Sequence, residues 1–257
     1  MKDILDKRLL LFMGIAFFLP LGALYLHGLT ENNTAQFVLY GIEAAAPSIA
    51  AMVVVISEGE TASFLRGSFK RSGIIKALIL PFGIVFLTMF LTKGISCFLL
   101  KEPFSVNTIP LSQLIVIMWA LVAEEFGWRG YLHQFLGKRL KRLCLRPFII
   151  GVIWCLWHYH YFLSGRMQAP MVWFAVGCIA ESYIYDYLLH VTDNQLLSAM
   201  VYHFAWNLLL HIFAINPADN MGNELPYIVM SVIEIGVGIR WGILIARTRV
   251  LNPHYRI

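Results

Sequence analysis

Long apolar stretches recur along the whole chain and constrain its fold more than any other feature. Eight of them approach the length of about 20 residues that a helix needs to cross a bilayer. They cover residues 9–27, 36–57, 74–99, 112–133, 147–163, 170–189, 195–214 and 226–246. Since 59% of the residues are hydrophobic and only 14% are charged, the composition excludes an ordinary soluble domain. The sequence therefore predicts an all-α polytopic membrane protein, a single domain over residues 1–257 with about eight transmembrane helices.

Lysine and arginine fall mainly between alternate apolar stretches, which predicts the orientation in the membrane. One side carries Lys2, Lys7, Arg8, Arg66, Lys70, Arg71, Lys76, Lys138, Arg139, Lys141, Arg142, Arg146, Arg247, Arg249 and Arg256. The other side carries Lys93, Lys101 and Arg166. The positive-inside rule then places both termini and the basic loops in the cytoplasm. This asymmetry accounts for the net charge of +5, so the predicted partners include the lipid bilayer and no nucleic acid.

The loops are short, so we expect the helices themselves to carry the function. Ionisable and strongly polar residues inside apolar spans usually face the bundle interior or a water-filled cavity. The spans contain Glu43, Glu124, Glu125, Arg129, His158, His160, Glu181, Asp186, His203, Asn207, His211, Glu234 and Arg240. The four cysteines form no CxxC pair and are expected to act as small hydrophobic residues.

The segment 124–129 (EEFGWR) places three ionisable side chains directly after an uncharged run over 111–123. On a helix, Glu125 and Arg129 are four residues apart and share a face, which predicts an ion pair. Glu124 points about 100° away from Glu125 and is left for other chemistry. The alternative is that both glutamates share the arginine and only hold helices together.

Two further pairs have the same i,i+4 spacing. Trp154 and His158 share one helix face, and His203 and Asn207 share another. Each pair also has a plain interpretation, a hydrogen-bonded core histidine or an interhelical hydrogen bond. Counting residues from the span ends places Glu124, His158 and His203 near mid-depth or somewhat to the cytoplasmic side, which predicts one shared site.

A carboxylate, two histidines and an amide at one site can activate water by general base catalysis or through a bound metal. The same groups also suit a proton or cation relay. Other intramembrane protease signatures are absent from the sequence. It has no HExxH and no Gly-x-Gly-Asp, and Ser164-Gly165 lacks the preceding glycine of a rhomboid-type serine.

The three motifs, in this order, resemble the CPBP family, which contains CAAX prenyl endopeptidases and bacteriocin-processing or immunity proteins and is also called the Abi family. The residues that carry the resemblance are the glutamate pair with Arg129, Trp154 with His158, and His203 with Asn207. The resemblance covers about residues 112–214, the predicted catalytic core. Two departures are Trp154, where the family commonly has Phe, and His160, where an apolar residue or proline is expected.

This resemblance implies an intramembrane metalloendopeptidase whose chamber opens toward the cytosol and whose substrate is a peptide or protein. It implies that Glu124 activates the hydrolytic water, and that Glu125 and Arg129 support the site. It further implies that His158, His203 and Asn207 are catalytic, binding a divalent metal, expected to be zinc, or stabilising the oxyanion. His158 and His203 are the predicted metal ligands, with Glu124 or Asn207 completing the set. The predicted location is the bacterial cell membrane.

Two alternative functions belong to different classes. A non-catalytic immunity or scaffold-type membrane protein would use the same fold without cleaving anything. A transporter would rely on Glu181, Asp186, Glu234 and Arg240 in the last spans, but the sequence shows no inverted repeat or broken-helix pair. Because the motif set is intact, the sequence favours the endopeptidase.

Overall fold

All regular secondary structure in the described part of the chain is helical, as predicted. The computed structural model describes residues 6–140 and 144–251, with side chains up to Leu244. The helices are α1 Lys7–Leu29, α2 Asn33–Ser57, α3 Thr61–Ser68, α4 Ile74–Leu100, α5 Leu111–Ala123, α6 His133–Gly137, α7 Leu145–Trp157, α8 Tyr159–Leu163, α9 Met171–Val191, α10 Leu196–Ile212 and α11 Leu225–Leu251. A π-helical segment, Phe126–Leu132, lies between α5 and α6, and a 3₁₀ turn, Pro217–Asp219, precedes α11.

The helices identify an integral, multi-pass membrane protein. Within the described residues, six helical stretches are long and apolar enough to cross a membrane: Lys7–Leu29, Asn33–Ser57, Ile74–Leu100, Leu111–Gly137, Leu196–Asp219 and Leu225–Leu244. The other two predicted spans coincide with α7 followed by α8, and with α9. Helix α7 has only 13 residues, whereas α9 has 21 but includes the polar Glu181 and Asp186.

Apolar side chains cover the outside of the bundle, and several charged ones lie inside it. Phe18, Ile75 and Phe98 are 72%, 73% and 82% exposed, as expected for side chains that contact lipid tails. By contrast, Glu43 and Glu125 are fully buried. Charges inside a membrane bundle are stable only where protein groups or water compensate them, so the buried charges mark the parts of the interior with specific polar contacts.

Span four is not the single regular helix that the sequence predicts over 112–133. Helix α5 ends at Ala123, and the chain widens into the π-helical segment directly after the two glutamates. The carbonyl of Glu124 accepts hydrogen bonds from the backbone of both Gly127 and Trp128. Such single π-turns occur mostly inside longer helices and often at functional sites.

Ion pairs join several loops at one end of the bundle, which we call the basic end. They are Arg139–Asp6 at 2.8 Å, Arg8–Glu58 at 3.3 Å and Lys70–Asp193 at 2.7 Å. The start of α1, the segment 58–73 and the described residues of the loops 138–140 and 192–195 therefore share this end. At the opposite end, the backbone N–H of Asn107 donates to the carbonyl of Ile212 at 2.7 Å. Of the predicted cytoplasmic residues, Lys2, Lys141, Arg142 and Arg256 lie outside the described residues, as do the side chains of Arg247 and Arg249.

Replacing Gly127 tests the contact between the π-helical segment and α2. A Cβ atom at this position would lie 2.5 Å from the backbone carbonyl carbon and oxygen of Pro47. We expect Gly127→Ala to lower the melting temperature of the detergent-purified protein, because overpacking costs about 1–3 kcal/mol and outweighs the gain in helix propensity.

The matched control is Gly83→Ala, since a Cβ at Gly83 in α4 meets nothing within 4 Å. Thermal unfolding followed by fluorescence measures both variants beside the wild type. Equal melting temperatures for the two variants would show that this packing does not constrain the segment.

Candidate active site

The residues predicted to form one site do line a common chamber. Its volume is about 520 Å³, and its wall includes Glu124, Trp154, His158, His203 and Asn207. These residues come from the end of α5, from α7 and the residue that follows it, and from α10. The structure therefore brings together three motifs that are separated by up to 83 positions, counted as 207 minus 124.

Glu124 presents one carboxylate oxygen to a hydrogen-bond donor and the other to a histidine. The indole Nε1 of Trp154 donates to Oε2 of Glu124 at 2.7 Å. Oε1 lies 3.9 Å from Nε2 of His203, too far for a direct hydrogen bond. Both residues are 7% exposed, so the carboxylate is nearly buried but still in contact with the chamber. Glu124 is thus held at one oxygen and available at the other.

Glu125 occupies a different environment, bound to both Arg129 and His203. Nη1 of Arg129 donates to Oε1 of Glu125 at 3.1 Å, which is the ion pair that the spacing predicts. The same oxygen lies 2.8 Å from Nδ1 of His203. A carboxylate is an acceptor when ionised, so this contact assigns the hydrogen of neutral His203 to Nδ1 and leaves Nε2 with its lone pair facing Glu124.

Aromatic rings hold the Arg129 guanidinium in place. Its central carbon lies 4.1 Å from the centre of the Trp154 ring and 3.6 Å from that of Tyr185. A desolvated guanidinium over an aromatic ring gains about 2 kcal/mol or more. Trp154 therefore has two roles, because its N–H binds Glu124 while its ring face packs against the arginine of the second glutamate.

His158 is oriented by its own helix. Its Nδ1 lies 2.7 Å from the carbonyl oxygen of Trp154, which can only accept, so Nδ1 carries the hydrogen. The rings of Trp157 and Phe174 pack edge-on against the imidazole at centroid distances of 5.0 Å and 4.9 Å. The remaining nitrogen, Nε2, is then the one with a free lone pair, as in His203.

Asn207 is half-buried and lies one helical turn beyond His203. Its Nδ2 donates to the carbonyl oxygen of His203 at 3.2 Å, and the side chain lines the chamber. This bond uses one of the two amide hydrogens, so the second hydrogen and the amide oxygen stay available to a ligand.

Several of the remaining polar residues of the spans form contacts between helices. Asp186 accepts from Nη2 of Arg146 at 2.6 Å and lies 3.0 Å from Nε2 of His133. Glu234 accepts from the indole of Trp206 at 2.8 Å. Glu181 lines the chamber wall. The unexpected histidine, His160, is fully buried, and its Nε2 lies 3.5 Å from Oε1 of Glu43.

The donor types at the site suit zinc, but their spacing does not form a ligand cluster. Two imidazole Nε2 atoms and a carboxylate are ligands that zinc prefers. However, the described residues contain no group of three or more His, Cys, Asp or Glu side chains positioned to hold one ion. A metal at this site therefore requires ligands to move closer together or the Asn207 amide and water to complete the set.

Two aromatic contacts at the site are not predicted by the sequence: the bond from Trp154 to Glu124 and the packing of Tyr185 on Arg129. Trp154 was identified only as the aromatic residue of a motif, yet its N–H binds Glu124 directly. The exchange of the family's usual Phe for Trp was the available signal, since only Trp adds a donor. Tyr185, which packs on Arg129, was not singled out because its position on α9 has no motif around it.

Removing Arg129 tests whether the Glu125 ion pair stabilises the fold. We expect Arg129→Met to lower the free energy of unfolding by about 3–5 kcal/mol, since it leaves the fully buried Glu125 without its cation. Thermal unfolding of the purified protein measures the loss, with Arg66→Met, an exposed arginine on α3, as the control.

The double variant Glu125→Gln with Arg129→Met removes both charges and should recover part of that loss. If Arg129→Met is as stable as Arg66→Met, the ion pair contributes nothing to folding. If the double variant loses more free energy of unfolding than Glu125→Gln and Arg129→Met lose when added together, the cost comes from lost packing on Trp154 and Tyr185 rather than from the charge.

Comparison with known proteins agrees with the site geometry. Residues 106–209 match the family model of the type II CAAX prenyl endopeptidases described as Rce1-like. The CAAX prenyl protease 2 of Methanococcus maripaludis is 26% identical over 147 residues, which cover 54% of this chain and 51% of that relative. The chain thus spans about half the length of the curated relative that it matches. The matched segment 106–209 includes every residue from Glu124 to Asn207, so the part of the chain that forms the site is the part that is similar to the CAAX prenyl endopeptidases.

Proposed function

We propose that this protein is an intramembrane endopeptidase that hydrolyses a peptide bond of a peptide or protein substrate inside the chamber. The observation that carries the proposal is the position of Glu124, with Oε2 bound by Trp154 and Oε1 facing His203 across 3.9 Å. The match of residues 106–209 to the family model and the printed name of the relative, a CAAX prenyl protease, support the same reaction class.

The proposed reaction begins with a water between Glu124 and His203. The 3.9 Å gap is too long for a direct hydrogen bond, but one water can bridge such a pair. The water donates one hydrogen to Oε1 of Glu124 and the other to Nε2 of His203. As its oxygen bonds to the substrate carbonyl carbon, its proton passes to Glu124, which acts as a general base.

The tetrahedral intermediate then collapses by breaking the carbon–nitrogen bond. Glu124 returns its proton to the leaving amine, so the carboxylate is regenerated for the next cycle. In this scheme the free amide hydrogen of Asn207 donates to the oxyanion, and preorganised donors of this kind lower barriers by about 2.7–4 kcal/mol each. Glu125 and Arg129 keep His203 in the required tautomer but do not touch the substrate.

The proposal includes a divalent metal, with zinc as the best match to the donor types. His158 and His203 would hold it through Nε2, with Glu124 or Asn207 and water completing the set; Nε2 of His203 would then bind the ion instead of accepting the hydrogen from water. When bound, such an ion supplies Lewis-acid polarisation of the substrate carbonyl and lowers the pKa of a bound water. The steps above use only groups of the protein.

An apolar groove next to the chamber supports a substrate that is associated with the membrane. The groove lies between α2 and α5, has a volume of about 620 Å³, and shares Tyr40, Val116 and Trp119 with the chamber wall. Its other lining residues include Phe37 and Ile115. A substrate with an apolar segment can occupy this groove while its scissile bond lies near Glu124. We further propose the bacterial cell membrane as the location.

The Glu124→Gln variant tests water activation directly. We expect cleavage of a reporter substrate to fall by at least about 10²–10⁴-fold, the usual contribution of a general base, while the protein still accumulates in the membrane. Single-turnover cleavage assays with purified protein measure the change.

The matched control is Glu234→Gln, which also replaces a buried carboxylate but keeps an oxygen acceptor for Trp206. Full activity of Glu124→Gln would rule out the proposed role. Biological protection that persists in Glu124→Gln, without any cleavage by the wild type, would favour the non-catalytic immunity or scaffold function instead.

Metal analysis tests the cofactor part of the proposal separately. We expect about one zinc per wild-type chain after purification, a large loss of metal in His203→Ala, and inhibition by a chelator. The control variant is His27→Ala, whose histidine lies at the end of α1 away from the chamber. Wild-type protein that cleaves substrate with no bound metal would refute the metal and leave the role of Glu124 intact.

A further inference from the structure

The chamber extends from the level of Glu124 and His203 toward the end of the bundle opposite the basic end. Its α5 lining residues run from Gln113 to Glu124, on the side of the site away from the π-helical segment. The rest of the wall includes the loop between α8 and α9, the part of α10 from His203 onward, and Asn216 and Ala218. Among the described residues, none of the basic-end loops over 58–73, 138–140 or 192–195 contributes to the wall.

Between the site and the basic end, the interior is closed by packed side chains. Trp128 and Leu132 of the π-helical segment are fully buried. Closer to the basic end, Arg146, Asp186 and His133 are 2%, 2% and 4% exposed, and Asp186 binds both of the other two side chains. In the described part of the chain, the chamber is thus open toward the opposite end, whereas packed side chains fill the interior between the chamber and the basic end.

The lysine and arginine residues fix which end faces the cytoplasm. The described basic end carries Lys7, Arg8, Arg66, Lys70, Arg71, Lys76, Lys138, Arg139 and Arg146. The opposite end carries Lys101 and Arg166, with Lys93 near the end of α4. An excess of this size in short loops places the basic end in the cytoplasm. The cytosolic opening that the family resemblance implies cannot hold together with this orientation.

We propose that the chamber opens to the non-cytoplasmic face of the membrane and takes its substrate from that side. The substrate class that follows is a peptide or protein segment that has crossed the membrane or reaches its outer half, and not a cytosolic chain end. The access side stands on charge and geometry, whereas the substrate class rests on the proposed endopeptidase function.

The chemistry of the chamber mouth fits an uncharged peptide segment. Arg166 lies in the mouth, but Nη1 of its guanidinium binds Oε2 of the buried Glu43 at 2.8 Å. His211 lies 2.6 Å from Asp219. The other polar lining residues at this level are uncharged amides: Gln113, Gln168 and Asn216. The mouth therefore offers hydrogen bonds to a peptide backbone with little net charge.

Cysteine labelling in intact cells tests the access side without requiring activity. In a background with Cys97, Cys144, Cys155 and Cys178 changed to alanine, Gln168→Cys marks the mouth and Arg71→Cys marks the basic end. Both positions are exposed. A membrane-impermeant maleimide should label Gln168→Cys in intact cells at least about tenfold more than Arg71→Cys, and cell lysis should equalise them.

A second pair, Ala218→Cys at the mouth and Lys138→Cys at the basic end, repeats the test if either first variant fails to accumulate; both residues are exposed. Preferential labelling of Arg71→Cys or Lys138→Cys in intact cells overturns the proposal, because the basic end would then face outward.

Vesicles of known orientation test the substrate class. An impermeant fluorogenic peptide, with an uncharged segment around the scissile bond and charged residues only at its ends, should be cleaved by right-side-out vesicles and spared by inverted ones, and the cleavage should disappear in Glu124→Gln. Glu124-dependent cleavage by inverted vesicles alone overturns the outward access. If the labelling supports outward access but neither vesicles nor purified protein cleave any substrate, the endopeptidase function fails while the orientation stands.

Discussion

The shared hydrogen-bond acceptor at Glu125 is the contact on which the candidate site depends. One carboxylate oxygen binds both Arg129 and Nδ1 of His203, so it joins the π-helical segment to α10 and sets the tautomer of the histidine. That tautomer leaves Nε2 facing Glu124. Because Arg129 is itself packed between Trp154 and Tyr185, the contact also fixes the ring that binds Glu124. The two adjacent glutamates therefore occupy different environments.

The membrane explains why these contacts need such complete packing. Inside a bilayer, a buried charge without a partner is costly, and water is available only where a cavity admits it. The protein places Glu125 and Arg129 against protein groups, whereas Glu124, His158, His203 and Asn207 line the chamber. Polar residues that would be costly on a lipid-facing helix thus lie either in protein contacts or at a cavity that can admit water.

The sequence predicted the helices and the local pairs, but not the contacts between distant helices. The ion pair of Glu125 with Arg129 follows from i,i+4 spacing, which local geometry determines. The bond from Trp154 to Glu124 and the packing of Tyr185 on Arg129 depend on how α7 and α9 approach α5, and no periodicity encodes that. The π-helical segment was missed for a similar reason, since Gly127 meets Pro47 only in the folded bundle.

The position of the chamber also required three-dimensional information. Depth counted along each helix placed Glu124, His158 and His203 at a similar level but gave no direction for the cavity above them. The lining residues supply that direction, and the loop charges supply the orientation in the membrane. Their combination is the basis of the proposed non-cytoplasmic access, which differs from the cytosolic opening that the resemblance implies.

Oxygen-isotope transfer in a single turnover tests the central claim most directly, namely that Glu124 activates water rather than attacking the substrate itself. With enzyme in excess over a peptide substrate in ¹⁸O-water, mass spectrometry reads the new carboxylate of the product and the enzyme peptide that contains Glu124. Direct attack by water predicts one ¹⁸O in the product carboxylate and none in the Glu124 peptide. Label in Glu124 with an unlabelled product would reveal a covalent acyl intermediate and contradict the mechanism.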